Sequence, residues 1–350
     1  MVKKGDRMKT KPFYKIHLWR LSAFCFVLVF IFGTTARAID DHLKGLSGPP
    51  FTNPSKIQPM PQGWEQQPIK YEQSAGNADI VMTLDQQMNT PLIPIIRKYA
   101  KEHNLKILII NGTCGISGGM LSRKVIDIGG YCCAPGETDR LPGLKFHTLG
   151  IAPLALIVHP DNPIDNITIE QGQQLFQGEI YRWSELKTTK GEKGANLLVQ
   201  PVVRLHCKIR PGSWRLLLKN EDLFSPGLLE VGAIPDMISQ VSENKEAIGY
   251  EVIWETHHFK HKGKVKTLRI NGYAPEDLSH LLAGNYPLYR VYSLTTWEGK
   301  GVLNTQAKKL VDYLMQQIEH LDSKYAVIPA SRLRQAGWKF NGNELVGKPR

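Results

Sequence analysis

From residue 78 onward the apolar pattern changes period again and again, and this alternation limits the fold more than any other feature. "ADIVMTL" is a short run of strand type, and "PLIPIIRKYAKEH" follows with apolar residues at helical spacing and Pro91 suited to a first turn. "LKILIING" reads as a buried strand, "SGGMLSRKV" as a helix with Ser117 as its expected N-cap, and "IDIGG" as a further strand. Strand alternating with helix predicts an α/β fold with a largely parallel sheet. In such sheets, functional groups gather outside the carboxyl ends of the strands, where loops meet helix N-termini. "FHTLGIAPLALIVHPDNP" is the longest β-type run. "TIEQGQQLFQGEIYRWSEL" opens with a capping-box pair, Thr168 and Gln171, and predicts a helix. "LVQPVVRL" predicts a strand, "IPDMISQVSENKEAIGYEVI" a helix and a strand, and "TQAKKLVDYLMQQIEHL" a long amphipathic helix.

The first 38 residues stand apart. A basic leader precedes the apolar run "LSAFCFVLVFIFGTTA", and Ala36–Arg37–Ala38 has the small-residue pattern of a secretory cleavage site. The expectation is a signal peptide cleaved after Ala38 and a periplasmic or secreted protein; a retained anchor is the rival. This segment carries eight Lys/Arg and one acid, a net +7 of the total +12, so the remainder carries only +5. Nucleic-acid binding therefore loses its main support, while a modest positive balance suits an anionic ligand. Residues 39–77 ("GLSGPPFTNPSKIQPMPQGWEQQP" within them) read as an extended Pro-rich arm, a tether more than a docking element, with Trp64 as its one anchor.

Four cysteines remain beyond the leader: Cys114, Cys132, Cys133 and Cys207. Two glycine-rich loops, "NGTCGISGGM" and "DIGGYCCAP", carry three of them at the ends of predicted strands. An oxidising compartment permits disulfides, and four cysteines allow three pairings among which spacing does not choose. No CxxC pair occurs, so no metal site is assigned from spacing and no cofactor is expected. A soft-metal or metalloid site, thiols that merely line a pocket, and a cysteine nucleophile with His147, His159 or His206 as base all stay open. "HHFKH" (His257, His258, His261) reads as a basic surface turn, and "NIT" at Asn166 as a sequon relevant only in a eukaryotic secretory pathway.

Four segments, "ALIVHPDNPIDNITIEQGQQLFQGEIYRWSEL", "EAIGYEVI", "LRINGYAPE" and "LLAGNYPLYRVYSLTT", closely resemble, in order, the phosphate-binding proteins of phosphate ABC transporters. The resemblance spans about residues 78–337. It implies a bilobal type II periplasmic binding protein fold, α/β in class, with two lobes joined by two crossover strands near Val158 and Tyr250. Lobe 1 would comprise 78–155 and 253–350, and lobe 2 would comprise 156–252. It implies a monomeric solute-binding protein rather than an enzyme, capturing phosphate or a similar oxyanion for an ABC permease or a sensor. Its ligand loops would fall at Asn89 and Thr90, at Thr113 and Ser117, at Arg204, and at Gly212 and Ser213. The family's Gly-Thr pair is replaced here by Trp214 and Arg215. Where the family carries its ligand aspartate, this chain has Cys132 or Cys133, which puts phosphate specificity in question and leaves a cysteine-retuned site for a soft metal, metalloid or other ligand as the alternative.

Overall fold

The computed structural model describes residues 49–206, 210, 212–299 and 301–349. The expected leader, residues 39–48 of the arm, and Cys207 lie outside the described residues. The first half of the chain alternates as its pattern predicts. Strand β1 (Ile80–Asp85) leads into helix α1 (Gln86–Glu102), then β2 (Ile107–Gly112), α2 (Cys114–Ser122) and a short β3 (Gly130–Tyr131). β4 (Leu144–Val158) is one continuous fifteen-residue strand, buried along nearly its whole length. β5 (Asn166–Ile167) precedes α3 (Ile169–Gln177), whose predicted capping box is formed: Gln171 N–H donates to Thr168 Oγ1 at 3.1 Å and Thr168 N–H to Gln171 Oε1 at 2.9 Å.

β6 (Gln200–Val203), β7 (Leu229–Glu230), α4 (Ile234–Glu243), β8 (Ala247–Val252) and α5 (Ile253–His258) follow. Then come β9 (Lys266–Thr267), β10 (Arg269–Ile270), α6 (Leu278–Leu282), β11 (Tyr289–Trp297), α7 (Thr305–Gln317), β12 (Ile328–Pro329), α8 (Ala330–Gln335) and the hairpin β13 (Lys339–Asn341) and β14 (Glu344–Gly347). Among the described residues no helix is long and apolar enough to cross a membrane.

The main sheet runs β3-β11-β4-β8-β6-β7. It is mixed rather than largely parallel. β4 takes antiparallel partners, β11 over its first half and β8 over its second, while β6 lies parallel to both β7 and β8. β1 and β2 form a separate parallel pair, linked to the third strand run by a parallel bridge between Met82 and Ile128. β3 is shorter than the "IDIGG" run suggests because it pairs only where β11 reaches it, at Ser293 and Leu294.

Two hydrophobic cores result. One gathers Leu156 and Val158 of β4, Val202 of β6, Ile248 and Tyr250 of β8, and Tyr289 and Val291 of β11. The other gathers Ile80 and Leu84 of β1, Ile96 of α1, Phe146 and Leu149 of β4, Leu294 and Trp297 of β11, and Leu310 and Leu314 of α7. The strands that run through both cores are therefore β4 and β11. Val158 and Tyr250, where the crossovers were expected, both lie inside the first core, because residues from 253–291 and 328–345 pack there as well.

The arm is docked rather than a loose tether. Trp64 is buried, its Nε1–H donates to the Ser122 carbonyl at 2.8 Å, and the Lys124 ammonium lies 4.1 Å from its ring centroid. Lys124 also donates to the carbonyls of Trp64, Glu65 and Gln67 at 2.8–3.1 Å, so one buried lysine fixes a full turn of the arm.

Candidate functional site

The two cysteine loops meet at one place. β1 and β2 end at Asp85 and Gly112, β3 ends at Tyr131, and α1 and α2 begin beside them. Asp85 caps α1, accepting from Gln87 N–H at 3.1 Å, and Thr113 caps α2, accepting from Ile116 N–H at 3.4 Å. Thr113, not Ser117, is thus the N-cap. The helix starts four residues earlier than a Ser117 cap would place it, because the threonine hydroxyl offers a cap just after β2. Gly130 must be glycine: a β-carbon there would lie 2.7 Å from the Thr83 carbonyl oxygen.

This packing brings three sulfurs together. Cys114 at the first position of α2 lies 3.4 Å from Cys132 and 3.7 Å from Cys133, Sγ to Sγ, and Cys132 lies 3.9 Å from Cys133. A disulfide requires about 2.05 Å, so these three are not bonded to one another, and a pairing of Cys114 with Cys132 or Cys133, which an oxidising compartment permits, is not formed; Cys207 lies outside the described residues. All three are buried. The Cys132 N–H donates to Cys114 Sγ at 3.3 Å, and the Cys114 thiol faces Asp85 Oδ2 at 3.8 Å. Arg290, the second residue of β11, holds Cys132 twice: Nε donates to its carbonyl at 2.9 Å and Nη2 to its sulfur, with Cys133 Sγ 3.8 Å from the same nitrogen.

The electrostatics follow from these contacts. Burial opposes a thiolate at Cys132, but hydrogen bonds from Cys114 and Cys133 and the charge of Arg290 outweigh it and hold its pKa well below that of an ordinary thiol. Burial pushes the Asp85 carboxyl well up, helped by the Cys132 charge. Arg290, among these anions, stays charged despite burial.

A second layer sits beside the sulfurs. Arg204, just past β6, donates through Nη1 to Glu251 Oε2 at 2.9 Å. Glu251 Oε1 accepts from Gln87 Nε2 at 2.7 Å and from Val252 N–H at 2.9 Å, so the carboxylate ties the start of α1 to Arg204. Arg204 Nε is buried without a partner among the described residues. Glu255 on α5 is pushed up to about 9 by burial and by the nearby Glu251 charge. Arg210, from the same loop as Arg204, reaches Asp139 at 2.5–3.1 Å and lies over Tyr131. Trp214, in the place of an expected hydroxyl-bearing loop, turns into the first core and donates from Nε1 to the His206 carbonyl at 3.0 Å.

The expected residues divide accordingly. Cys114, Cys132, Cys133, Arg204 and Gly212 converge at this junction. Thr113 is spent as a cap, and Ser117 as a buried link that accepts from Thr83 Oγ1 at 2.8 Å and donates to the Gly130 carbonyl at 2.9 Å. Asn89 and Thr90 lie a turn inside α1, and Asn89 donates to Asn111 Oδ1 at 2.7 Å. The strand end they were assigned to is occupied by Asp85, Gln86 and Gln87. Ser213 begins a 3₁₀ turn, Ser213–Leu216. Asp85, Gln87, Glu251, Glu255 and Arg290 were missed. A signal existed for two of them: Glu251 and Arg290 are each the one charged residue in a strand that is otherwise uncharged, which in a buried strand demands a partner. His147, one proposed base, is engaged elsewhere, with Thr296 Oγ1 at 2.7 Å and Asn343 Nδ2 at 3.1 Å.

Strand ends and helix starts converging between two α/β lobes, with two strands shared by both, define a periplasmic-binding-protein fold. The chain belongs to the PBP superfamily: the model of the PBP superfamily domain matches residues 136–317. Among solved structures, the chain is similar to an ABC-type phosphate transport receptor from Vibrio cholerae, with 20% identity and a TM-score of 0.58, over 71% of this chain and 99% of that one. It is also similar to a putative phosphate ABC transporter substrate-binding protein with bound phosphate from Clostridium perfringens, with 17% identity and a TM-score of 0.59, over 72% and 99%. PstS from Borrelia burgdorferi matches with 17% identity and a TM-score of 0.50, over 71% and 98%.

Proposed function

We propose that this protein is a periplasmic or secreted solute-binding protein that takes a small oxyanion, phosphate first, at the junction of β1, β2 and β3 with the loop that follows β6. The protein binds and releases; it performs no chemistry, and it hands its ligand to an ABC permease or a sensor. The observation that carries this reading is Arg204: a buried guanidinium whose Nε has no partner among the described residues and which is tied through Glu251 to Gln87 at the start of α1. The phosphate-related names of the similar structures support the same ligand class.

The test is thermal stabilisation by phosphate, arsenate and sulfate. A site that binds the ion stabilises the fold by about 2.7 kcal/mol when the ion is at a hundred times its Kd. An unchanged melting temperature with all three ions overturns the oxyanion. One observation favours a second reading: sulfur stands where a carboxylate was expected, and Arg204, Arg210 and Arg290 already face Glu251, Asp139 and Cys132. A thiophilic ligand would need none of those pairs to open.

A further inference from the structure

We infer that Cys114, Cys132 and Cys133 form a three-thiolate site for a divalent thiophilic cation of the zinc or cadmium kind. The inference goes beyond the solute-binding reading and does not depend on it.

The spacing is the first argument. A Zn–S bond of about 2.3 Å with tetrahedral angles places two ligand sulfurs about 3.8 Å apart. The three separations here are 3.4, 3.7 and 3.9 Å. The three sulfurs already occupy three corners of such a tetrahedron, and an ion can seat among them with side-chain adjustments of a few tenths of an ångström. Asp85 Oδ2, 3.8 Å from Cys114 Sγ, is an oxygen donor close to the cluster.

The surroundings favour thiolates over thiols. Cys114 opens a nine-residue helix, where the partial positive charge of the N-terminus stabilises an anion. Its sulfur also accepts the Cys132 N–H at 3.3 Å. Arg290 donates to the Cys132 sulfur and lies within 3.8 Å of the Cys133 sulfur. Backbone and guanidinium donors to ligand sulfurs are the outer contacts that orient a thiolate site.

Charge selects the ion. Three thiolates beside one guanidinium leave two negative charges in a buried space, which a divalent ion cancels and a monovalent ion does not. Soft sulfur donors select zinc, cadmium and similar ions over magnesium and calcium. Each cysteine that enters as a thiol releases its proton to solvent as the metal–sulfur bond forms.

The experiment is a titration of the reduced full-length protein with cadmium and with zinc in phosphate-free buffer. The expected result is one equivalent bound with an ultraviolet cadmium–thiolate charge-transfer band, and at least about a hundredfold loss of affinity in C114S, C132S and C133S. X-ray absorption of the zinc-loaded wild type, independent of whether any variant folds, should show three sulfur ligands at about 2.3 Å. No band in fully reduced protein, a band that survives all three substitutions, or a zinc ion with no sulfur ligand overturns the site. A failed metal titration leaves any phosphate-induced thermal shift standing, and a failed phosphate shift leaves the metal titration standing.

Discussion

Gly212 lies against Cys133 so closely that a β-carbon on it would sit 2.6 Å from Sγ and 2.9 Å from Cβ. Its φ of −173° is extended backbone that any residue adopts, so the demand for glycine here is steric and not conformational. The loop that carries Arg204 and Arg210 is thereby pressed onto the cysteine cluster. Gly212→Ala should push the loop away. We expect a loss of about 1–3 kcal/mol in stability, the usual cost of overpacking, and faster alkylation of Cys133 by a small thiol reagent. Wild-type stability together with a wild-type alkylation rate would show that the loop does not rest on the sulfur in solution.

Glu255 gives the clearest pH dependence. In the folded protein its carboxyl titrates near 9, raised by burial and by Glu251 and Asp85, against Arg204 and Arg290, which lower it; its ordinary value is 4.5. Between those values the folded state holds a proton that the unfolded chain has released. Stability is therefore fully present below about pH 4.5 and falls as pH rises toward 9, by about 1.4 kcal/mol per unit. Glu255→Gln, which imitates the neutral acid, should remove this slope. The variant should match the wild type near pH 4.5 and melt at a higher temperature at pH 8. Parallel melting curves across that range would mean that Glu255 is ionised in the fold.

The alternation of strands and helices was legible because each element buries one face with its own period, as in β1, α1, β2 and the Thr168–Gln171 capping box. The mixed sheet was not, because strand direction depends on which distant segment arrives beside β4, and no local pattern records that. Within the site, the cysteines stood out by residue type, and Arg204 entered only through the family resemblance. Thr113 and Ser117 were chosen for their hydroxyls, yet a hydroxyl serves equally as a cap or a buried link, and only packing decides. The final hairpin was missed because its short strands become strands by docking on β4 and the loop before it, where Leu345 N–H donates to Thr148 Oγ1 at 3.0 Å and Glu344 meets Arg140, ahead of β4, at 2.7 Å.

The arm makes a separate prediction. Trp64 contributes a large buried ring, a hydrogen bond to Ser122 and the face on which Lys124 sits. Trp64→Ala should cost roughly 3–5 kcal/mol, as for other buried aromatic truncations. Lys124→Met should cost less in packing but leave the carbonyls of Trp64, Glu65 and Gln67 without their shared donor. Urea unfolding midpoints measure both. A change under about 1 kcal/mol for Trp64→Ala would make the arm a tether after all.

Arg204 and Glu251 form a buried ion pair, and this decides how a binding role for Arg204 has to be tested. Removing the guanidinium alone leaves the Glu251 carboxylate, among the described residues, with Gln87 and the Val252 N–H, a loss expected to cost about 3–5 kcal/mol. Arg204→Ala would then lose ligand binding through misfolding as readily as through a lost contact. Replacing both partners together, as Arg204→Met with Glu251→Leu, removes the uncompensated charge and should restore most of the stability, since well-packed apolar substitutes for a buried pair are often neutral or better. If an oxyanion docks on Arg204, the double variant regains the wild-type melting temperature without ligand and shows no shift with phosphate, arsenate or sulfate. If it regains both stability and the shift, Arg204 is a structural partner of Glu251 and the anion is held elsewhere.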